Sequence, residues 1–183
     1  MNRMLTFDEV KIIKLKNFND SRGFFTETYN KKLLLDSGID DNFIQDNQSF
    51  SKQSKTIRGM HFQLPPFEQS KLLRVVSGSI IDVFIDLRKG SSTFEYYGAV
   101  ELTAESGLLY IPKGFAHGFM TLSDQTILSY KVSNVFNKES ELGIKWNDPF
   151  FSIDWPSHAE DLIISEKDNN LPFWSDIKDK VNF

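Results

Sequence analysis

The sequence has no cysteine among its 183 residues and only three histidines. Disulfides, thiolate catalysis and cysteine-ligated zinc or iron–sulfur centres are therefore excluded. No run of about eighteen apolar residues occurs, and the N-terminal stretch MNRMLTFDEVKIIKLKN lacks the apolar segment of a signal peptide. These two absences predict a cytoplasmic protein that does not span a membrane. A basic surplus is also missing, since the net charge is −4, and this argues against general nucleic-acid binding.

The composition is that of an ordinary globular chain. The hydrophobic fraction is 40%, and the seventeen phenylalanines predict a core or a binding cleft that is rich in rings. A chain of this length, with no linker or low-complexity tract, predicts a single domain over residues 1–183. From about residue 43 onward, short alternating segments are bounded by Gly, Pro, Asn and Ser. This pattern predicts an all-β fold, a double-stranded antiparallel β-helix or jelly roll with a few short helices.

The clearest strand signal is the segment KLLRVVSGSIIDVFIDLRKGS. We interpret it as a β-hairpin in which two strands flank a Ser-Gly-Ser turn. By alternation the second strand has an apolar face and a largely polar face. The apolar face carries Ile81, Val83, Ile85 and Leu87, and the other face carries Asp82, Phe84, Asp86 and Arg88.

Helical signals are few. The segment NKKLLLDSG predicts a short helix that begins at an Asn30 cap and ends at Gly38, and FWSDIKDKV predicts another near the C-terminus.

His61 lies in the predicted strand TIRGMHFQ, on the same face as Gly59 and Gln63 and opposite Met60 and Phe62. A lone strand histidine is often a buried structural residue with a satisfied hydrogen bond. Here, however, Arg58 precedes it by three residues and Lys71 opens the next predicted strand. In an antiparallel sheet these side chains are expected to converge on one cavity.

A second informative stretch is GLLYIPKGFAHGFMTL, in which Pro112, Gly114 and His117 form the pattern P-x-G-x-x-H. This spacing resembles the second motif of the cupin superfamily, many members of which bind a metal. Those members carry H-x-H in their first motif, whereas this chain has His-Phe-Gln at positions 61–63. A divalent metal held by His61, His117 and Glu68 is the less favoured alternative, because a metal site needs three or four convergent ligands.

Further stretches extend the resemblance along the chain. They are, in order, DSRGFFTETY, IQDNQSFS, TIRGMHFQ, QSKLLRVVSGSIIDVFIDLRKGSSTF, YIPKGFAHGF, ESELGIKWNDP, IDWP and SEKD. Together they closely resemble the dTDP-4-dehydrorhamnose 3,5-epimerase family, a branch of the cupins, from about Lys11 to Pro172.

The resemblance implies epimerisation at C3 and C5 of dTDP-4-keto-6-deoxy-D-glucose, which gives dTDP-4-keto-L-rhamnose. Both carbons flank the C4 ketone, so loss of either proton gives an enolate whose charge rests on the ketone oxygen. The reaction requires a base on one face, a proton donor on the other and a positive group near the oxygen. It requires no nicotinamide or metal, so we expect no cofactor.

Four residues match the catalytic positions of the family. His61 corresponds to the base, and Asp168 in SEKD to the carboxylate that orients the imidazole. Lys71 matches the residue that stabilises the enolate oxygen, and Tyr130 matches the proton donor on the opposite face. Without the resemblance, Lys71 would be read as a surface lysine, Tyr130 as a packed ring and Asp168 as a loop or helix-capping residue.

The sequence contains neither G-x-G-x-x-G nor a P-loop, so other groups must hold the nucleotide. Arginine suits a pyrophosphate because its guanidinium contacts two oxygens at once. The candidates are Arg22 and Arg58, with Lys167 as a helper; by resemblance Glu27, Gln45, Asn47 and either Phe24 or Phe25 lie near the nucleotide, and His117 lines the cavity. In the family the segment that carries Arg22 and Glu27 reaches the partner subunit's site, which implies a homodimer.

One departure from the family pattern is Phe136, where a tyrosine is common. Its ring can still stack, but the hydroxyl is missing, which leaves the balance between single and double epimerisation open. The alternatives that stay open are a C3-only or C5-only epimerase, an epimerase that uses a sugar on another nucleotide, and a cupin that binds sugar nucleotides without turnover. A 3,4-ketoisomerase is disfavoured, because those proteins generally lack the R-G-x-H-x-Q, lysine and tyrosine arrangement.

Overall fold

The structure is a computed structural model that describes residues 4–183, so the first three residues of the predicted 1–183 domain lie outside it. The strands are β1 (Lys11–Ile13), β2 (Asn17–Asp20), β3 (Gly23–Thr26), β4 (Gln45–Ser51), β5 (Thr56–Gln63), β6 (Lys71–Ser77), β7 (Ser79–Asp86), β8 (Tyr97–Thr103), β9 (Leu108–Ile111), β10 (Phe115–Thr121), β11 (Thr126–Val132), β12 (Glu141–Gly143) and β13 (Ile163–Ile164). The α-helices are α1 (Lys31–Asp36), α2 (Glu166–Asn169) and α3 (Trp174–Ile177), and short 3-10 turns cover Ala159–Asp161 and Lys178–Lys180.

Two sheets pack face to face and form the predicted jelly roll. The five-stranded sheet has the order β1-β9-β6-β11-β4. The six-stranded sheet has the order β12-β5-β10-β7-β8, with β13 pairing in parallel with β5. The hairpin of β2 and β3 forms a separate two-stranded sheet. Among residues 4–183, no helix has the length and apolar character that are needed to cross a bilayer.

The two predicted helices are confirmed. The Asn30 side chain accepts hydrogen bonds from the N–H groups of Lys32 and Leu33 at the start of α1, and Gly38 follows its end with a φ of +77°. The inner side of α1 packs on the five-stranded sheet, where Leu34 and Ile39 are buried in one cluster. Near the C-terminus, α3 occupies the predicted segment.

The hairpin predicted around Ser-Gly-Ser is wrong. Strand β6 pairs with β9 and β11 in one sheet, whereas β7 pairs with β8 and β10 in the other. Gly78, with a φ of +83°, is the sole residue between the two strands and turns the chain across the sandwich. Leu73 on β6 therefore shares an interior cluster with Ile80 and Phe84 on β7. Alternation identified both strands but carries no information on their partners.

Both faces of β7 are buried. The apolar face packs outward, where Val83 and Ile85 join a cluster with Trp155 and Trp174 of the C-terminal segment. The largely polar face points into the sandwich, and Asp82 and Asp86 have no exposed surface. The interior of this jelly roll thus holds ionisable carboxylates as well as aromatic rings.

Strand β5 changes register at Gly59. His117 of β10 pairs with His61, but Phe119 pairs with Arg58, so the regular alternation is interrupted between them. Gly59 has a φ of +117°, and a Cβ atom there would lie 2.6 Å from the Cα of Gly118. This irregularity lets Arg58 and His61 line the same cavity although they are three residues apart.

We therefore predict that Gly59→Ala lowers the free energy of unfolding by about 3 kcal/mol or more, because it combines a strained φ with a backbone clash. Thermal and denaturant unfolding measure the change. Gly90→Ala is the matched control, since a Cβ there meets open space. We expect it to change stability by less than about 0.5 kcal/mol. Equal stability of the two variants would contradict the close-approach argument.

Candidate active site

A cavity between the two sheets holds most of the predicted site residues. It has two adjoining compartments of about 310 and 250 Å³, and His61, Lys71 and Tyr130 line both of them. The first compartment is also lined by Arg58, His117, Lys167 and Asp168. The second is also lined by Gln45, Asn47, Gln63, Gln69, Phe136 and Glu141. The structure thus brings together nine of the predicted residues around one space.

His61 and Asp168 form a direct pair. The Nε2 atom of His61 lies 2.7 Å from Oδ1 of Asp168, and the other carboxylate oxygen accepts the N–H of Gly59 at 3.2 Å. Desolvation alone would raise the pKa of Asp168, but the hydrogen bond and the charge of His61, with the Gly59 N–H, outweigh it and hold the pKa below its ordinary value. The carboxylate is therefore ionised and can orient the imidazole.

Asp168 is held in place by its own helix. It lies on α2, where the side chain of Ser165 caps the helix and accepts the N–H of Asp168 at 3.1 Å. The capping role therefore belongs to Ser165, and Asp168 is free to face His61. Sequence reasoning did not single out Ser165, although serine three residues before an acidic residue is a recognisable helix-start signal.

Lys71 is only partly exposed, and its ammonium group is surrounded by protein. Desolvation lowers the pKa of Lys71 to about 8, although the negative charge of Asp82 opposes this shift. The Nζ atom donates to Oε1 of Gln69 at 3.3 Å. Lys71 is thus not the surface lysine that its sequence position alone would suggest.

Asp82 and His117 form a second buried pair beside Lys71. The Nε2 atom of His117 is 2.8 Å from Oδ2 of Asp82, while Oδ1 has no hydrogen-bond partner among residues 4–183. Complete burial raises the pKa of Asp82 above its ordinary value, and the interactions with His117 and Lys71 only partly oppose this shift. Sequence reasoning missed this carboxylate. An aspartate inside the apolar run SIIDVFID was the available signal, because carboxylates are rarely buried without a specific partner.

Tyr130 faces His61 from the opposite sheet. His61 lies on β5 of the six-stranded sheet, whereas Tyr130 lies on β11 of the five-stranded sheet. Burial raises the pKa of the Tyr130 phenol, and the nearby charge of Arg58 partly opposes this. The phenol therefore keeps its proton at neutral pH and is available as a donor.

The predicted nucleotide residues occupy several places. Gln45 donates to the side chain of Asn47 at 2.7 Å, and both lie on edge strand β4. The guanidinium of Arg58 donates to the Ser51 hydroxyl and to the Phe50 carbonyl. Lys167 forms an ion pair of 2.7 Å with Glu141 at the rim.

Three predicted residues lie outside the cavity of their own chain. Arg22 pairs with Asp20, and Glu27 accepts a hydrogen bond from Asn30. Phe25 lies on β3 with 66% of its surface exposed. Their participation in a site stays a prediction that needs a second chain.

The alternative metal site is not assembled. Glu68 lines a separate pocket of about 800 Å³ next to Arg88 and Phe183, away from the two cavity histidines. In the described part of the chain, no group of three or more His, Asp or Glu residues is placed to hold a metal ion. Apart from Glu68, none of the predicted site residues lines this pocket.

Comparison with known proteins identifies the same family that the sequence motifs resemble. A family model described as dTDP-4-dehydrorhamnose 3,5-epimerase matches residues 4–176. The Sinorhizobium fredii protein of that name is 44% identical over 169 residues, which cover 92% of this chain and 86% of the relative. The structure of the Bacillus anthracis enzyme, with TDP and PPi bound, has a TM-score of 0.85 and 43% identity and covers 90% of this chain and 99% of its own.

A Legionella pneumophila dTDP-6-deoxy-D-glucose-3,5-epimerase, in complex with dTDP-4-keto-L-rhamnose, has a TM-score of 0.89. It is 38% identical and covers 98% of this chain and 96% of its own. The fold and these matches define an isomerase of the cupin class. More narrowly, the chain belongs to the dTDP-4-dehydrorhamnose 3,5-epimerase family.

The buried ammonium group gives a stability prediction. Because the pKa of Lys71 is lowered to about 8, the unfolded chain binds this proton more tightly, and the charge destabilises the fold below that pH. Lys71→Met should raise the thermal midpoint at pH 7 by about 2–4 °C, the shift that about 1 kcal/mol gives in a chain of this size. The gain should shrink as the pH rises toward 10.

Lys89→Met serves as the control for this measurement, because Lys89 is exposed. Its midpoint should follow that of the unmodified protein at every pH. A lower midpoint for Lys71→Met at pH 7 would contradict the desolvation argument.

Proposed function

We propose that the chain inverts C3 and C5 of dTDP-4-keto-6-deoxy-D-glucose and so forms dTDP-4-keto-L-rhamnose. The observation that carries this proposal is the placement of a histidine–carboxylate pair and a protonated tyrosine on opposite walls of one cavity. Inversion of a carbon next to a ketone needs removal of a proton from one face and delivery to the other. Membership in the epimerase family agrees with this reaction.

His61 is the proposed base. Asp168 occupies one ring nitrogen at 2.7 Å, which fixes the tautomer and leaves the other nitrogen with a lone pair toward the substrate. The imidazolium that forms is stabilised by the ionised carboxylate. Tyr130 then protonates the carbon from the opposite face. The His61 imidazolium releases its proton to solvent and the Tyr130 phenolate takes one up, which restores both groups. The same two groups act on C3 and on C5 after the sugar ring has been repositioned.

Lys71 is the proposed stabiliser of the enolate. A compact ammonium in a desolvated cavity interacts more strongly with developing negative charge than it would in water. Because the pKa of Lys71 is lowered to about 8, this charge is progressively lost as the pH rises through that value. His117, buried against Asp82, is proposed to shape the cavity without transferring a proton.

The second compartment is the proposed nucleotide site. Gln45 and Asn47 offer amide groups, and the ring of Phe136 provides a flat apolar surface at its rim. Arg58 and Lys167, which line the adjoining first compartment, are proposed to contact the diphosphate. For this contact Lys167 must leave its ion pair with Glu141. The organisation as one domain and the cytoplasmic location remain predictions from the sequence.

Solvent exchange tests the reaction. In deuterated water the protein should replace the C3 and C5 protons of dTDP-4-keto-6-deoxy-D-glucose, as followed by proton NMR. His61→Ala should reduce both exchanges by about 10²-fold or more, the scale of general-base catalysis. The affinity of this variant for thymidine diphosphate should stay within a few-fold, because His61 is proposed to contact the keto-deoxyhexose and not the nucleotide.

Loss of one proton signal would instead assign a C3-only or C5-only epimerase and direct attention to Phe136. Binding without any exchange would assign a sugar-nucleotide-binding cupin. Normal turnover of His61→Ala would contradict the proposed base.

A homodimer is part of the proposal. The hairpin of β2 and β3 exposes Phe18, Phe24 and Phe25 by 49%, 65% and 66%. Strand β4 is the last strand of its sheet, and it carries two of the proposed nucleotide contacts. Exposed apolar hairpins and open strand edges are features that association covers. A hairpin from a second copy at this edge would bring Arg22 and Glu27 to the nucleotide site.

Subunit mixing tests this arrangement. His61→Ala and Arg22→Ala should each be severely impaired alone. After joint refolding at equal amounts, about a quarter of the sites should be complete, because half of the dimers are mixed and each of these has one intact site. His61→Ala refolded alone is the control. No recovery in the mixture, or a mass in solution equal to the 21.1 kDa chain, would contradict the shared site.

A further inference from the structure

The side-chain amide of Gln69 connects the cavity lysine to a loop. Its Oε1 atom accepts a hydrogen bond from Nζ of Lys71 at 3.3 Å, and its Nε2 atom donates to the carbonyl of Asn134 at 2.7 Å. Since the acceptor and the donor ends of the amide both have partners, its orientation is fixed. Gln69 lines the second compartment, so this connection lies within the site itself.

The loop at the other end of this connection is residues 133–137, which we call the Phe136 loop. Gln63 donates to the Val135 carbonyl at 3.0 Å and accepts the N–H of Asn137 at 2.7 Å. Asn134 donates to the Pro66 carbonyl at 3.0 Å. These contacts anchor the loop to the end of β5 and to the segment that joins β5 to β6. Side-chain amides on both sides of Phe136 thus hold the loop, together with a backbone hydrogen bond from Ser133 to Ser70.

A neutral acceptor at position 69 has an electrostatic consequence for Lys71. Glutamine holds the ammonium group by a hydrogen bond without adding a negative charge. A carboxylate at the same distance would favour the protonated lysine much more strongly. The other charged or titratable groups around Lys71 are Arg58, His61, His117, Tyr130, Glu141, Lys167 and Asp168 in the two compartments, and Asp82 on β7.

We propose that Gln69 is a positioning residue that holds the ammonium group of Lys71 in the cavity and ties it to the loop that carries Phe136. The inference rests on the proposed function, in which Lys71 stabilises the enolate and Phe136 borders the nucleotide. It adds that one amide sets the spacing between these two parts of the site. Gln69 needs no contact with the substrate for this role.

Two substitutions of Gln69 test the proposal. They should shift the alkaline limb of the kcat/KM pH profile, where Lys71 loses its proton, in opposite directions. Gln69→Glu places a carboxylate beside Lys71, so the alkaline limb of kcat/KM should move up by about one pH unit or more. Gln69→Leu removes the acceptor and desolvates the ammonium further, so the limb should move down. Both variants lose the bond to Asn134, and KM should rise several-fold in each.

Asn134→Ala is the matched control, because it releases the Phe136 loop from Pro66 while keeping the carbonyl that Gln69 contacts. We expect a higher KM and an unmoved alkaline limb. If Gln69 only maintained the structure, both Gln69 variants would lose activity, but the alkaline limbs of their pH profiles would coincide. That result, or limbs at the position of the unmodified protein, would overturn the proposal.

A measurement without turnover separates this proposal from the proposed function. NMR titration of protein labelled with ¹⁵N at lysine Nζ reads the pKa of Lys71 directly, and the signal absent from Lys71→Met assigns it. The pKa should be higher in Gln69→Glu and lower in Gln69→Leu. If the unmodified protein shows no solvent exchange yet these pKa values move, the function fails and the positioning of Lys71 stands. If exchange occurs and the pKa values stay fixed, Gln69 is not the positioning residue.

Discussion

The contact between His61 and Asp168 organises the site, since it joins two groups 107 residues apart at 2.7 Å. The same carboxylate accepts the N–H of Gly59, so one aspartate holds both the imidazole and the register change of β5. Ser165 in turn fixes the helix that carries the carboxylate. The orientation of His61, the proposed base, thus depends on the close approach of β5 and β10 at Gly59.

The interior of the jelly roll combines a packed core with desolvated charge. On β7, the face that the sequence makes most apolar packs outward under the C-terminal segment, and the face with Asp82 turns inward. Burial raises the pKa of Asp82 and of Tyr130 and lowers that of Lys71, so each group is moved toward its neutral form. Desolvated groups of this kind lower the free energy of unfolding, but their electrostatic interactions are stronger than they would be in water.

Much of this arrangement could be predicted from the sequence. The strand segments, the α1 cap at Asn30 and nine of the cavity residues follow from local pattern and family resemblance. The pairing of β6 and β7 could not be predicted, because a single glycine between two runs of alternation is compatible with a hairpin or with a crossing between sheets. Asp82 and Gln69 were missed because their roles arise from contacts with His117 and Lys71 in three dimensions. The roles of Arg22 and Glu27 depend on a second chain, which no pattern within one chain locates.

In the proposed reaction, His61 and Tyr130 approach one sugar ring from opposite walls of the cavity. A crystal structure of the protein with dTDP-L-rhamnose, which has a C4 hydroxyl and cannot form the enolate, would test it most directly. We expect the C4 oxygen to lie beside Nζ of Lys71, with His61 and Tyr130 on opposite faces of the ring. A ring bound outside the cavity, or both side chains on the same face, would contradict it.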